Sequence, residues 1–318
     1  MTKSSTRTAG IDTSKHKLDV AVHGAATQFT VENSKAGWQH LADELTKTGV
    51  ERIGIEATGG YERDVTRYLQ AAGFEVVVLQ PNQVKAFAKV QLRRAKTDRL
   101  DAELIAACTY IFDAHNKLPP DPRFDALADH LTFIEQIDDD IARSKTRLEH
   151  IVNKRLRRIA EAGIRRLELL RAVELKRLLA ELRCHADLAE RFELVLSIPG
   201  IGERTALTLI VRMPELGRLS REQAAALAGL APFVQQSGKR QGETHIGGGR
   251  SRLRRALYAA ALPASFRWNR ALKALYGRLI GRGKSHSSAL IACARKLLVF
   301  ANTVVARGTP WQDRSATA

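Results

Sequence analysis

Four carboxylates in the first third of the 318-residue chain fall where a fold could bring them together: Asp12, Glu56, Asp98 and Asp101. Asp12 interrupts the apolar run TAGIDT, which reads as a strand, and Glu56 closes a second one, ERIGIE. Asp98 and Asp101 are three apart at the start of a helical pattern, so both face one way. Strand ends beside a helix start can gather such groups closely. Four negative charges held together repel one another, and the cluster makes sense only if divalent cations neutralise it. Mg²⁺ suits carboxylate and phosphate oxygens, with Mn²⁺ able to substitute. Two such ions about 3.5–4 Å apart activate a nucleophile and stabilise the leaving oxygen of a phosphodiester. Simpler readings exist: a helix dipole favours Asp98 and Asp101 without any metal, and Glu56 could be a solvated strand end. Asp12 is harder to dismiss, because its neighbours Gly10 and Ile11 look buried. Asp19, Glu62, Asp64 and Glu103 read as surface residues or ion-pair partners.

The last third holds a second set of candidates. QQSGKR places Ser237 before Gly238 and the cations Lys239 and Arg240, in a loop that a phosphate could approach. A serine needs a base or a metal to attack, and a loop serine or helix cap explains the local sequence as simply. Gly247, Gly248 and Gly249 lead into Arg250, Arg252, Arg254 and Arg255, which reads as a backbone-lined anion site opening a basic helix. With no acidic neighbour in sequence these arginines would repel one another unless a polyanion joined them; a solvated helix face is the alternative. SIPGIGERTALTLIV has the form of a helix-hairpin-helix whose Gly200 and Gly202 expose amides to a phosphate, or of a plain helix–helix turn. Trp268 and Tyr276 could stack on bases or sit at a core rim. GRGKSH lacks the full phosphate-loop pattern, which argues against an ATP site.

The elements that must position these residues follow from periodicity. Residues 1–117 alternate strand and helix patterns, the mark of an α/β domain: an antiparallel three-strand meander, then helix, strand, helix, strand and two further helices. Ser34 caps the first helix, Pro81 and Asn82 start the third, and the last runs from Asp98 to about Phe112. LPPDPR breaks the chain, and residues 118–188 read as a helical coiled arm or hairpin with a hinge near Gly163, or as an ordinary bundle layer. Residues 189–318 are mostly helical with glycine-rich interruptions.

Charge sorts the classes of partner. The net charge is +17, and residues 201–318 hold twenty Lys and Arg against five Asp and Glu. An excess confined to one third points to a polyanion, and nucleic acid fits better than a membrane surface, since no long amphipathic helix with an aromatic face carries these cations. No apolar run reaches the ~18 residues of a bilayer span and the start lacks a secretory leader, so a cytoplasmic protein without a membrane partner is expected. Cys108, Cys184 and Cys293 form no CxxC pair, and disulfides and structural zinc are not expected.

GIDTSKHKLDVAV, IEATGGYERDV and KTDRLDAELIA, in that order, resemble the ribonuclease-H-like, RuvC-type domain of DEDD transposases in the insertion-sequence family numbered one hundred and ten, relatives of the Piv invertase. SIPGIGERTALTLIV and LAGLAPFVQQSGKRQGETHIGGGRSRLRRALYAAA resemble that family's second domain, so the likeness runs nearly the full length. By this resemblance Asp12, Glu56, Asp98 and Asp101 are the family's acidic tetrad and bind Mg²⁺. Ser237 matches the serine that attacks a DNA phosphodiester and becomes joined to it. The resemblance also implies donor and target DNA, a bridge RNA that pairs with both, and homodimers or homotetramers with composite sites.

The leading expectation is a Mg²⁺-dependent recombinase working through a phosphoserine, which conserves phosphodiester energy without ATP. One alternative is a metal-dependent junction endonuclease that activates water. Another is a nucleic-acid-binding scaffold without catalysis.

Overall fold

The computed structural model describes residues 6–57, 59–91, 98–111, 121–233, 236–237, 240–241 and 245–312, with backbone alone at 98–100, 233, 236–237 and 240–241. The chain divides into two compact units, Met1–Leu118 and Pro119–Ala318.

Unit 1 is built on a five-stranded mixed sheet. Strands β1 (Thr8–Thr13), β2 (Lys17–Val22) and β3 (Gln28–Glu32) form the expected antiparallel meander, while β4 (Arg52–Glu56) and β5 (Glu75–Leu79) add in parallel to β1, in the order β3-β2-β1-β4-β5. Helices α1 (Lys35–Lys47), α2 (Arg63–Ala71), α3 (Pro81–Val90) and α4 (Asp98–Ile111) complete it. The Ser34 hydroxyl accepts from the Gly37 N–H and caps α1 as the sequence predicts, whereas α2 starts at Arg63, after Gly59 and Gly60 have made a turn with positive φ. Alternation sorts the strands: Ile11, Ile53 and Ile55 pack with Leu41, Leu45, Val65 and Leu69 of α1 and α2, so Gly10 and Gly54 face the other way.

On that other face lies α4. A Cβ on Gly10 would stand 2.2 Å from the Ala106 nitrogen and 2.3 Å from the Ala102 oxygen, and one on Gly54 only 1.8 Å from Thr109 Oγ1. The two glycines therefore set how closely α4 can sit on the strands. Gly10→Ala is expected to destabilise unit 1 by about 3 kcal/mol, because backbone atoms cannot yield as a side chain can. Calorimetry should show its transition fall by roughly 10 °C. The contrasting change is Gly163→Ala, whose Cβ meets nothing within 4 Å; it should leave the protein as stable or slightly more so.

Unit 2 is helical. Helices α5 (Pro122–Glu149) and α6 (Lys154–Arg183) form an antiparallel hairpin, followed by α7 (Ala186–Leu196), α8 (Glu203–Arg212), α9 (Arg221–Leu227), α10 (Ser251–Pro263), a π-helical turn (Ala264–Trp268), α11 (Arg270–Gly281) and α12 (His286–Arg307). The hinge expected at Gly163 lies instead at residues 150–153, where the Asn153 side chain caps α6 by accepting from the Arg155 and Leu156 N–H groups. Gly163 stays inside α6, since one exposed helical glycine costs only about 1 kcal/mol. Leu127, Leu131, Leu178 and Leu182 at the base of the hairpin share one core with Phe192, Ile210, Leu257 and Leu297. Among the described residues α12 alone is long and apolar enough by composition to cross a bilayer, but Arg295 and Lys296 interrupt its apolar run, and its apolar face, with Cys293, Leu297, Leu298 and Ala301, lies in this core.

The glycine-rich interruption also holds structure. Four two-residue strands, β6 (Pro232–Phe233), β7 (Gln236–Ser237), β8 (Arg240–Gln241) and β9 (His245–Ile246), pair β6 with β9 and β7 with β8 in a nested antiparallel ribbon.

Candidate functional site

In unit 1 the sheet brings two of the four acids to neighbouring strand ends. The parallel pairing of β1 with β4 runs through Ile11 opposite Ile55, so Asp12 and Glu56 come next on adjacent strands about 4.8 Å apart. By alternation both project from the face of Gly10 and Gly54, where α4 packs, and both are partly exposed. Asp101, half-buried, immediately precedes Ala102, the residue seated over Gly10. Asp101, Ile105 and Cys108 fall on one stripe of α4. The Cys108 thiol is pushed up to about 11 by burial and, secondly, by the negative charge of Glu56, which puts that carboxylate within electrostatic reach of the stripe. The backbone of Asp98 opens α4, but its side chain lies outside the described residues. Among the described residues no three Asp, Glu, His or Cys side chains are gathered into a metal site.

Two features of this edge escape a reading of the sequence. Asp19, which reads there as a surface residue or an ion-pair partner, is the latter, with Lys17 Nζ at 2.9 Å; what the sequence does not show is that it is buried, accepts from Thr30 Oγ1 at 2.6 Å and stands opposite Asp12 on the β1–β2 ladder. Its signal was an acid inside the apolar run KLDVAV. Glu62 is also buried, and accepts from the Gly60 N–H at 2.9 Å, which shapes the turn after β4.

The second feature is Asn33. Its amide donates to the Ser14 carbonyl at 2.9 Å and the Tyr61 carbonyl at 3.2 Å, and its oxygen accepts from Trp38 Nε1 at 2.8 Å. One side chain thus ties the turn that follows Asp12 to the loop that follows Glu56. Asn33→Asp keeps the acceptor for Trp38 and removes both donors. It should lower strand cleavage by about tenfold while leaving secondary structure intact, as read by circular dichroism beside a cleavage assay.

In unit 2, Ser237 is the last paired residue of the inner ribbon, its backbone opposite Arg240; the side chains of both, and Gly238 and Lys239 altogether, lie outside the described residues. The arginines of α10 are not the unpaired group their spacing implies, since acids distant in sequence meet them. Arg250 grips Glu215 through two hydrogen bonds of 2.8 and 2.7 Å and also donates to the Arg212 carbonyl. Burial acts to raise Glu215, but the Arg250 hydrogen bonds and charge prevail and hold its carboxyl below the usual range. Arg252 pairs with Glu135, Arg254 donates to the Gly229 and Gly248 carbonyls, and Arg255, largely exposed, lies 3.6 Å from Asp139. Arg250 and Arg254 are thus engaged in holding the fold, and of the four Arg255 is the most exposed.

SIPGIGERTALTLIV is the turn after α7 followed by α8; in that turn Gly200 has φ +97° and a Cβ there would stand 2.3 Å from Ala264 Cβ. Packing against the π-helical turn thus accounts for Gly200, while Gly202, exposed, precedes α8. Trp268 is 61% exposed beneath the Arg267 guanidinium, whereas Tyr276 hydrogen-bonds His286 Nδ1 at 2.7 Å and packs on Phe266.

An α/β unit with carboxylates at its parallel strand ends is followed in the chain by a strongly basic helical unit, and sequence comparison supplies the class. Residues 9–183 match the DEDD transposase family of IS110, and residues 192–277 match the transposase IS116/IS110/IS902 family. The chain belongs to the IS110 family of transposases and is a DNA transposase or recombinase by class. It is 27% identical to the pilin gene-inverting protein of Moraxella bovis over 96% of this chain and 97% of that one, and equally so to its counterpart from Moraxella lacunata. It is also 34% identical to an uncharacterized 43.6 kDa protein of insertion element IS110 from Streptomyces coelicolor, over 37% of this chain and 29% of that protein.

Proposed function

We propose that the protein moves or inverts a DNA segment by strand exchange through a covalent phosphoserine, with Asp12, Glu56, Asp98 and Asp101 as the acids that hold Mg²⁺ and Ser237 as the nucleophile. The observation that carries the acidic half is the placement of Asp12 and Glu56 at adjacent parallel strand ends, on the face where α4 begins with Asp98 and Asp101. Their oxygens are the hard donors that Mg²⁺ takes, and two carboxylates at adjacent strand ends fit a divalent cation. When bound, the ion would supply charge neutralisation at the scissile phosphate and an acidified ligand oxygen.

The chain's own groups do the rest. Ser237 Oγ loses its proton and bonds to phosphorus, one P–O ester bond to the strand breaks, and the freed strand oxygen takes up a proton. The number of phosphodiester links is unchanged, so a second strand hydroxyl can reverse the step and reseal without ATP. Lys239 and Arg240 beside the serine supply positive charge to the attacked phosphate, and Arg252 and Arg255, with the Gly202 turn before α8, hold flanking phosphates. A bridge RNA selecting the DNA and a dimer or tetramer uniting the sites complete the proposal. Exposed Leu156, Ile159, Leu169 and Val173 on the hairpin support association through that arm.

The test is to trap the adduct. Protein, Mg²⁺ and DNA carrying the element's ends, quenched with denaturant, should leave DNA attached to the chain, and peptide mass spectrometry should map it to Ser237. Cleavage with no attached strand would favour the water-activating endonuclease instead.

A further inference from the structure

Unit 2 holds a groove of about 690 Å³ that none of the roles above employs. One helical stripe of α12, with Lys296, Phe300, Thr303 and Arg307, forms its floor. Gly308 ends the helix in a left-handed cap, and the strap that follows folds back so that Trp311 packs on Phe300, with ring centres 4.4 Å apart. The Trp311 N–H donates to Ser197 Oγ at 2.8 Å and pins the strap to the α7–α8 turn. Arg221 at the start of α9 and Arg270 at the start of α11 close the sides.

The chemistry of the lining selects the ligand. Its walls are mainly carbon, four cations stand around them, and among the described residues no carboxylate lines the groove; Glu222, next to Arg221, is the acid that feels that cation's charge. Lys296 Nζ lies 5.1 Å from the centre of the Phe300 ring and Trp311 covers it further, so the half-exposed indole is the flat surface presented to a guest. A flat aromatic guest with negative charge attached on either side fits both features. We infer that the groove takes an unstacked nucleotide of a single strand, its base on Trp311 and its phosphates on Arg270, Lys296 and Arg307. Volume agrees, because pockets of roughly 300–1,000 Å³ hold ligands of nucleotide size. A duplex would not enter, since its bases are stacked inside. The inference takes its ligand class from the proposed action on nucleic acid but is independent of Ser237.

The test uses the full-length protein without divalent metal, so that binding is read without cleavage. Fluorescein-labelled single strands of about 12 nucleotides, oligo(dT) in one arm and oligo(U) in the other, are titrated by anisotropy. Their relative affinities tell whether DNA or RNA is the source of the strand. Trp311→Ala should weaken single-strand binding about tenfold and leave binding of a duplex of equal length unchanged, with Trp311→Phe in between. Arg270→Glu, at the groove's side, should weaken it similarly and lower the salt slope by about one. An iodouracil-substituted strand should crosslink to Trp311. Binding is read without metal and without cleavage, so failure of the serine chemistry and failure of the groove are told apart. Equal affinity for the Trp311→Ala, Arg270→Glu and unaltered proteins would overturn the inference. So would displacement of the strand by an acidic peptide as readily as by unlabelled strand.

Discussion

Ser237→Ala is expected to abolish the covalent protein–DNA species and to lower strand exchange by at least about 10³-fold, while affinity for DNA changes little. The size follows from the role: a nucleophile is a participant, and among the described residues of the ribbon strands Ser237 is the one that carries a hydroxyl. Lys239 and Arg240 are cations, able to stabilise a phosphate but not to attack it. Ser237→Cys offers the sharper comparison. A thiol has the reach to attack phosphorus and a lower pKa than a hydroxyl, but it is a soft nucleophile poorly matched to phosphorus beside a hard cation. It should retain a trace of adduct and little exchange. Pairing in the inner ribbon is through the backbone, with Ser237 opposite Arg240, so neither substitution removes a ladder hydrogen bond and both should fold. A gel of denatured reaction products, with the retained strand labelled, reads the result. Undiminished adduct in Ser237→Ala would move the nucleophile elsewhere.

Much of the positioning framework could be read from the residues because local signals and the tertiary answer agree. Ser34 before an apolar period, Pro81 at a helix start and the alternation of TAGIDT each name an element by its own chemistry, and α1, α3 and β1 are where those signals put them. What was not legible depends on residues meeting across the sequence. The arginines of α10 seem unpaired in a linear reading because Glu135, Asp139 and Glu215 lie 35 or more residues upstream. Asp19 reads as a surface or ion-pair acid, and its pair with Lys17 agrees, but nothing local shows that it is buried opposite Asp12 on the ladder. Gly163 was given the hinge because glycine is a conspicuous breaker, whereas Asn153, a cap of ordinary appearance, made the actual one. The short strands around Ser237 left no period to detect, two residues being too few for alternation. At the site, sequence order gave the strand and helix ends on which the acids stand, but not Asn33, whose part comes from three hydrogen bonds to separate segments.

Asp12→Asn and Glu56→Gln, each made singly, should lower cleavage by about 10²- to 10³-fold with folding preserved. Both changes keep size and shape, and both positions are partly exposed at strand ends, so the loss is of charge and not of packing. Asp19→Asn is the informative contrast. Asp19 is buried and engaged by Thr30 and Lys17, so its neutralisation should show chiefly as lost stability, of about 1–3 kcal/mol by chemical denaturation. Metal uptake separates the roles further. Mg²⁺ holds its water tightly and is commonly bound by one or two carboxylates together with substrate phosphates. Asp12 and Glu56 stand on adjacent strands, and among the described residues no three acids are gathered into a group that could hold the ion unaided, so substrate phosphates would have to complete its shell. Calorimetric titration should therefore find weak Mg²⁺ binding to the protein alone and tighter binding once DNA is added, with the gain lost in Glu56→Gln. If Glu56→Gln cleaves at the wild-type rate and keeps the DNA-dependent gain, the acidic edge of the sheet is not where the chemistry occurs.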